Sequence, residues 1–256
     1  MTFPAAFLGP PIAHRALHDA GQGIPENGVT AVRRAVAMGY GIEIDVQPSA
    51  DGQAMVFHDA TLDRMTGTTG PIRARTARDL MDLRLKGSEE NIASLSQILQ
   101  LVAGRVPLLI EIKDQSGGIG AAADDMLERG VVSALQGYEG PVAVMSFNPH
   151  TIASFRAHAP NVARGLVTSG FMPSQWPGLS PELCSHLRSI RDFGKVGAQF
   201  ISHDWTDLGS PRVAELKAQK IPVLCWTIQS AQAEAEARRI ADNVTFEGYL
   251  PPLDAA

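Results

Sequence analysis

Eight short apolar runs recur along this chain, and every interval between them holds a longer segment with helical spacing. The runs are Ile12 to His14, Ile42 to Val46, Val106 to Ile112, Val142 to Ser146, Ala163 to Val167, Ala198 to Ser202, Pro222 to Thr227 and Val244 to Phe246. The intervening segments, 28–38, 95–103, 121–136, 149–157, 181–193, 211–218 and 231–241, are spaced for amphipathic helices. Eight strands alternating with helices over 256 residues match a parallel sheet closed on itself, an α/β fold of the TIM (β/α)8 barrel type. An open doubly wound sheet is the competing architecture. The chain has no glycine-rich phosphate loop of dinucleotide or Walker type and no internal repeat, which disfavours the nucleotide-binding version of that alternative.

Local chemistry marks several boundaries. Asn27 is a suitable N-cap for a helix ending near Gly39, and Ser94 with Gln97 forms a capping box ahead of Ile98, Leu99 and Val102. Pro149, Pro181 and Pro211 suit first helical turns, where a missing amide hydrogen matters least. A content of 45% hydrophobic residues supports a substantial core, and one barrel domain spanning 1–256 is the expectation. The alternation breaks once. From Asp59 to Asn91 the chain is rich in Thr, Gly, Arg and charge, which predicts an insertion after the second strand's hairpin, lying over one mouth of the barrel.

In a parallel barrel the functional groups gather at the C-terminal ends of the strands. In Gly41-Ile-Glu-Ile-Asp-Val46 the apolar residues alternate with acids, so a strand places Glu43 and Asp45 on one face. Like charges so close repel unless something positive lies between them. A two-residue loop centred on Asp51-Gly52 would return the chain with residue 58 opposite residue 45, setting His58 beside the acids. His14 and Arg15 end the first strand, and Glu111 and Lys113 share a face of the third. Three converging carboxylates, Glu43, Asp45 and Glu111, call for a cation, and an oxygen-only ligand set favours one divalent Mg²⁺ or Ca²⁺ over zinc. Arg15 and Lys113 add fixed positive charge suited to phosphate oxygens. His14 and His58 can remove and deliver protons near neutral pH. Phosphodiester cleavage follows as the reaction class.

The remaining composition narrows the partners. With 22 basic and 27 acidic side chains the formal charge is −5, which argues against nonspecific binding of nucleic acid or anionic membrane. Cys184 and Cys225, the only cysteines, suit a reducing compartment without a disulfide framework. The first residues do not resemble a secretory signal, and no run approaches the roughly 20 apolar residues that span a bilayer. The expectation is a soluble cytoplasmic protein without stable membrane insertion.

His14-Arg15, Pro25-Glu26-Asn27, Glu43-Ile44-Asp45-Val46, Asp51-Gly52, His58-Asp59 with Leu62 and Arg64, Glu111-Ile112-Lys113, Ser146-Phe147 and Trp226-Thr227 resemble, in that order, the glycerophosphodiester phosphodiesterase pattern. The resemblance is dense from residue 12 to 67, clear to 113 and thin beyond. It implies a TIM barrel, a divalent cation and hydrolysis of small glycerophosphodiesters to glycerol 3-phosphate and an alcohol. It also implies attack by the substrate's own glycerol hydroxyl, giving a cyclic phosphate later opened by water, with one histidine as base and the other as acid. Two other readings stand beside it: a phospholipase D-like enzyme cleaving lysolipid or sphingolipid headgroups, and a noncatalytic phosphodiester-binding barrel.

The chain departs from the pattern at three places. Ala16 stands where glycine usually follows His-Arg, Gly28 where threonine usually follows Pro-Glu-Asn, and Thr245-Phe-Glu-Gly-Tyr-Leu-Pro251 where a Thr-Asp-x-Pro segment is usual. Trp226 either lines the pocket against a glycerol carbon face or fills the barrel. Glu26 and Asn27 read as structural, Asn27 as the cap and Glu26 as an orienting group. His203-Asp204-Trp205 reads as an ordinary loop, Phe147 as packing, and His18, His150, His158 and His186 as solvated loop or helix residues.

Overall fold

The computed structural model describes residues 3–253. Its strands are β1 (Ile12–Ala13), β2 (Gly41–Pro48), β3 (Ala54–Val56), β4 (Ala93–Ser94), β5 (Leu108–Ile112), β6 (Val142–Ser146), β7 (Ala163–Thr168), β8 (Phe200–Asp204), β9 (Val223–Ile228) and β10 (Asn243–Phe246). The helices are α1 (Val29–Met38), α2 (Ala77–Met81), α3 (Leu95–Val102), α4 (Met126–Ala134), α5 (Pro149–His158), α6 (Pro181–Arg188), α7 (Pro211–Ala218) and α8 (Ala231–Ala237). All eight strands expected from the apolar runs form. Ile12 of β1 pairs in parallel with Gly41 of β2 on one side and Thr245 of β10 on the other, so the sheet closes. Eight parallel strands ringed by helices make a TIM barrel.

The hydrophobic pattern sorts into an outer shell and a filled interior. Alternate strand residues facing outward, such as Ile42, Ile44, Ile110, Val144 and Ile201, pack against the helices. Ile12, Leu109, Met145, Val167, Phe200 and Leu224 fill the interior instead. Phe3 stacks on Phe7 at 5.1 Å and lies tilted against Phe200 at 4.4 Å, packing the end of the interior where the strands begin. Gly165 on β7 makes room for this layer, since a Cβ there would lie 2.6 Å from the Phe200 ring. The cavity is therefore left at the opposite, C-terminal end.

Helix boundaries follow the capping chemistry with one exception. Ser94 and Gln97 form the reciprocal capping box at α3, and Pro149, Pro181 and Pro211 occupy first turns. At α1, however, the N-cap is Gly28, not Asn27. Asn27 takes a left-handed φ of 58° and turns its side chain inward. The end of α1 is met from outside the helix, where the Glu90 carboxylate accepts the Thr30 N–H at 3.2 Å. Gly28 fits because any Cβ would lie 2.8 Å from Pro25 and 2.9 Å from Glu90. α4 starts at Met126, later than periodicity predicts: the Ala121 carbonyl accepts the Asn148 Nδ2 at 2.8 Å, and the Met126 N–H donates to Asp124 Oδ1 at 3.3 Å.

The hairpin after β2 is one residue out of the expected register. Val46 pairs with Val56 and Pro48 with Ala54, so residue 45 faces Phe57, whose N–H donates to the Asp45 carbonyl at 3.0 Å. The loop holds three residues, Ala50 to Gly52, closed by the Ser49 N–H on the Gln53 carbonyl, with Gly52 at φ 78°. From β3 to β4 the chain builds its own apolar cluster of Met55, Phe57, Leu62, Ile72, Leu80, Leu85 and Ile92. That cluster explains a segment with no barrel periodicity: its apolar side chains pack on one another. Cys184 on α6 and Cys225 on β9 are free and buried, and burial raises the Cys225 thiol to about 12.

Candidate active site

The period of a strand brings the acids together. Glu43 and Asp45 point inward from β2, and the β2–β5 register sets Asp45 beside Glu111. One ligand oxygen from each of the three lies within 4.8 Å of the others, and all three side chains are buried. Lys113, just past β5, places its Nζ 2.7 Å from Asp45 Oδ1 and 2.6 Å from Glu111 Oε1. Burial opposes the lysine charge, yet Asp45 and Glu111 raise its pKa above the ordinary lysine range. Asp45 shows the converse: burial works against its ionisation, but Lys113, His58 and Arg15 hold it well below the usual carboxylate range.

Glu43 is different. Burial, then Asp45 and Glu111, push its pKa well above the normal value. Its Oε2 accepts the Arg15 N–H at 2.8 Å, while its buried Oε1 has no partner. A buried carboxylate oxygen without a donor, beside two more carboxylates, is the arrangement a hard divalent cation satisfies. The residues present therefore fit such an ion.

The two cations come from the ends of the strands on either side of β2, Lys113 past β5 and Arg15 past β1. Arg15 and Ala16 both adopt left-handed backbone, φ 50° and 63°, and the Ala16 N–H bonds the Glu43 carbonyl at 2.9 Å. This turn directs Arg15 over the acids, with its Nη1 on Glu26 at 2.9 Å and its Nε 3.6 Å from Asp45. Asn27 supports the same carboxylate: its Nδ2 donates to Asp45 Oδ2 at 2.9 Å, and its Oδ1 accepts the Asp45 N–H at 3.1 Å. Its left-handed backbone turns it from capping the helix to holding the site.

Each histidine is held by a carboxylate. His14 Nδ1 lies 2.6 Å from Glu247, and His58 Nδ1 lies 2.6 Å from Asp59. An Nδ1–H donated to a carboxylate leaves Nε2 as the free nitrogen. Burial lowers the His58 pKa despite the nearby Asp45 charge. Glu247 is itself fixed by Gln229 at 2.7 Å, and its bond to His14 pulls its pKa far below the usual range. Glu247 is the group the sequence reading missed. The signal was present in the segment that departs from the family pattern, where an acid stands just past the last strand.

His14, Arg15, Glu43, His58, Glu111 and Lys113 line one face of a cavity of about 310 Å³. Its other face is apolar, with Met145, Phe147, Val167, Trp176 and Trp226. Phe147 lies edge-on to Trp226 at 5.5 Å and 5.4 Å from Trp176, so it belongs to the cavity wall as well as the packing. Trp226 lines the cavity while its Nε1 donates to the Ser202 carbonyl at 2.9 Å. Trp176, from the loop after β7, has no sequence signal that distinguishes it from core. All eight residues singled out from sequence, His14, Arg15, Glu43, Asp45, His58, Glu111, Lys113 and Trp226, surround this cavity or its acids. His203 differs from its loop reading: it belongs to β8, is 1% exposed, and bridges Thr168 at 2.8 Å and Asp207 at 3.1 Å.

The glycerophosphoryl diester phosphodiesterase family matches residues 14–244. A glycerophosphodiester phosphodiesterase of Caldanaerobacter subterraneus is 30% identical over 174 residues, 64% of this chain and 69% of the relative. The solved structure of an Oleispira antarctica phosphodiesterase in complex with the product sn-glycerol-3-phosphate has a TM-score of 0.75 at 24% identity over 94% of each chain. That of a Thermotoga maritima glycerophosphodiester phosphodiesterase has a TM-score of 0.68 at 18% identity, covering 93% of this chain and 94% of the other. Fold, site and family match together define a barrel enzyme that hydrolyses phosphoric diesters. The chain belongs to the glycerophosphodiester phosphodiesterase family, whose members act on glycerophosphodiesters. Among the described residues no helix is long and apolar enough to cross a membrane.

Proposed function

We propose that the chain hydrolyses small glycerophosphodiesters to glycerol 3-phosphate and an alcohol, using one divalent cation, Mg²⁺ or Ca²⁺, and a pair of histidines. The observation that carries this reading is the buried carboxylate triad with the unpartnered Glu43 Oε1. The sn-glycerol-3-phosphate held by the Oleispira antarctica relative is the product this reading assigns here. Glu43, Asp45 and Glu111 would hold the ion, which supplies Lewis-acid stabilisation of the charge developing on phosphoryl oxygens. Arg15 presents a planar fork to those oxygens and Lys113 a point charge. His14 and His58, each fixed through Nδ1, offer Nε2 on the cavity side. One takes the proton of the substrate's own attacking glycerol hydroxyl as its oxygen bonds phosphorus, and the other gives a proton to the alcohol oxygen as the P–O bond to it breaks. Water then adds to phosphorus and opens the resulting cyclic phosphate, its proton taken by one histidine and the released glycerol oxygen protonated by the other, giving glycerol 3-phosphate. Trp226, with Phe147 and Trp176, supplies an apolar wall for the carbon skeleton.

A coupled assay for glycerol 3-phosphate release tests the reading. Turnover should vanish with a chelator, return on adding Mg²⁺ or Ca²⁺, and be lost in His14→Ala and His58→Ala. Full turnover in a Glu43→Ala, Asp45→Ala double variant would refute the cation assignment.

A further inference from the structure

Arg64 does not line the cavity, yet one guanidinium joins two arms of the site. Its Nε and Nη2 grip Asp59 at 2.6 and 2.9 Å, and its Nη1 and Nη2 grip Glu26 at 2.9 and 2.6 Å. Asp59 is the carboxylate on His58 Nδ1, and Glu26 is the carboxylate on Arg15 Nη1. His58 follows the hairpin while Arg15 ends β1, and among the described residues no hydrogen bond joins one to the other. The two backbones are each tied to β2, through the Ala16 N–H on the Glu43 carbonyl and the Phe57 N–H on the Asp45 carbonyl, and Arg64 joins the partners of the two side chains.

We propose that Arg64 is a positioning residue for the hydrolysis, locking the Asp59–His58 pair and the Glu26–Arg15 pair into one fixed relation. The proposal rests on the roles given to His58 and Arg15 above. Arg64 is 46% exposed, whereas Glu26 and Asp59 are 15% and 21% exposed. Exposed ion pairs add little to stability unless their geometry is bidentate and networked, and here both pairs are bidentate and share one guanidinium. What such a bridge supplies is geometry. A displacement of about 1 Å in a reacting group costs on the order of 10²-fold in rate. A lysine ammonium is a point charge that cannot span both carboxylates as a fork. The segment between β3 and β4, which has its own apolar cluster, thereby acts on the chemistry through one side chain.

The test measures glycerol 3-phosphate release by the full chain with its divalent cation, for wild type, Arg64→Ala, Arg64→Lys, Asp59→Asn and the Arg64→Ala, Asp59→Asn double variant. Arg64→Ala should lower kcat/KM by about 10–100-fold, the usual cost of removing an outer partner of a site group. The loss should divide between a lower kcat, through His58, and a higher KM, through Arg15. Arg64→Lys should recover little of it, and added guanidinium ion should restore part of the activity of Arg64→Ala alone. In the Asp59→Asn background, Arg64→Ala should lower kcat by less than about twofold more, because the two changes break one chain of contacts. Wild-type kinetics in Arg64→Ala or Arg64→Lys, or fully additive losses of kcat in the double variant, would overturn the proposal. Full turnover in His58→Ala and Arg15→Ala would instead remove the site reading itself, and the proposal with it.

Discussion

Replacing Glu43 by glutamine separates the cost of the acid cluster from its use. We predict that Glu43→Gln makes the cation-free protein more stable and the cation-loaded protein less so. Two unit charges within 4.8 Å of each other repel by at least about 3.5 kcal/mol at an effective dielectric of about 20. Glu43 faces two such neighbours, Asp45 and Glu111, both of which already have Lys113 as counterion. For Glu43 the compensation is the Arg15 N–H at 2.8 Å and the nearby guanidinium. Glutamine keeps an oxygen for that N–H, removes the charge, and turns an NH₂ donor toward the remaining acids. The net gain without cation should be about 1–3 kcal/mol, below the bare Coulomb figure because Arg15 also loses its attraction to Glu43. For a chain of this size that is roughly 2–12 °C in Tm. Because Glu43's folded pKa is raised, the wild-type penalty is absent at low pH and grows as pH rises above the unfolded carboxylate value, so the two melting curves should diverge in that direction. With cation at about 100 times its Kd, wild type should gain about 2.7 kcal/mol and the variant, lacking one ligand, much less. Thermal melts by circular dichroism, in chelator and in Mg²⁺ or Ca²⁺, measure both halves. A variant less stable than wild type in chelator, or equally stabilised by the cation, refutes the reasoning.

Two further predictions concern the site's frame. Ala16 holds a left-handed φ of 63°, which costs an L-residue about 1–2 kcal/mol, while glycine loses about 0.4–1 kcal/mol more on folding. Ala16→Gly should therefore stabilise the fold by about 0.5–1 kcal/mol, seen as a higher urea midpoint at unchanged m-value; a lower midpoint contradicts it. Burial works against Asp59's ionisation, but Arg64 and His58 hold its pKa at about 2. A depressed carboxylate stabilises fully above its unfolded pKa and loses that contribution as pH falls through the folded one. Asp59→Asn should thus cost about 1 kcal/mol at neutral pH after solvent screening, and its stability should converge with wild type between about pH 4 and 2. A gap that stays constant across that window would rule this out.

Much of the site was legible because strand geometry is local. The two-residue period puts Glu43 with Asp45 whatever the rest of the chain does, and the same rule sets Glu111 with Lys113. Where the reading depended on a turn it was less secure. The Asp51-Gly52 loop carries one more residue than a two-residue turn, so residue 45 meets Phe57, and His58 reaches the acids from beyond the end of β3. Asn27 has good capping chemistry, but a left-handed backbone and two hydrogen bonds to Asp45 outcompeted it.

From its amino acids alone, then, this chain determines an alternation of strand and helix that closes as a barrel, and an inward row of acids, cations and imidazoles at the strand ends. Tertiary structure decided which of them touch. Glu247 reaches His14 across 233 residues only because β10 pairs with β1, and Lys113 bridges Asp45 and Glu111 only because β2 and β5 share that register. Side-chain period is a property of each strand by itself, whereas register and closure are properties of all eight together.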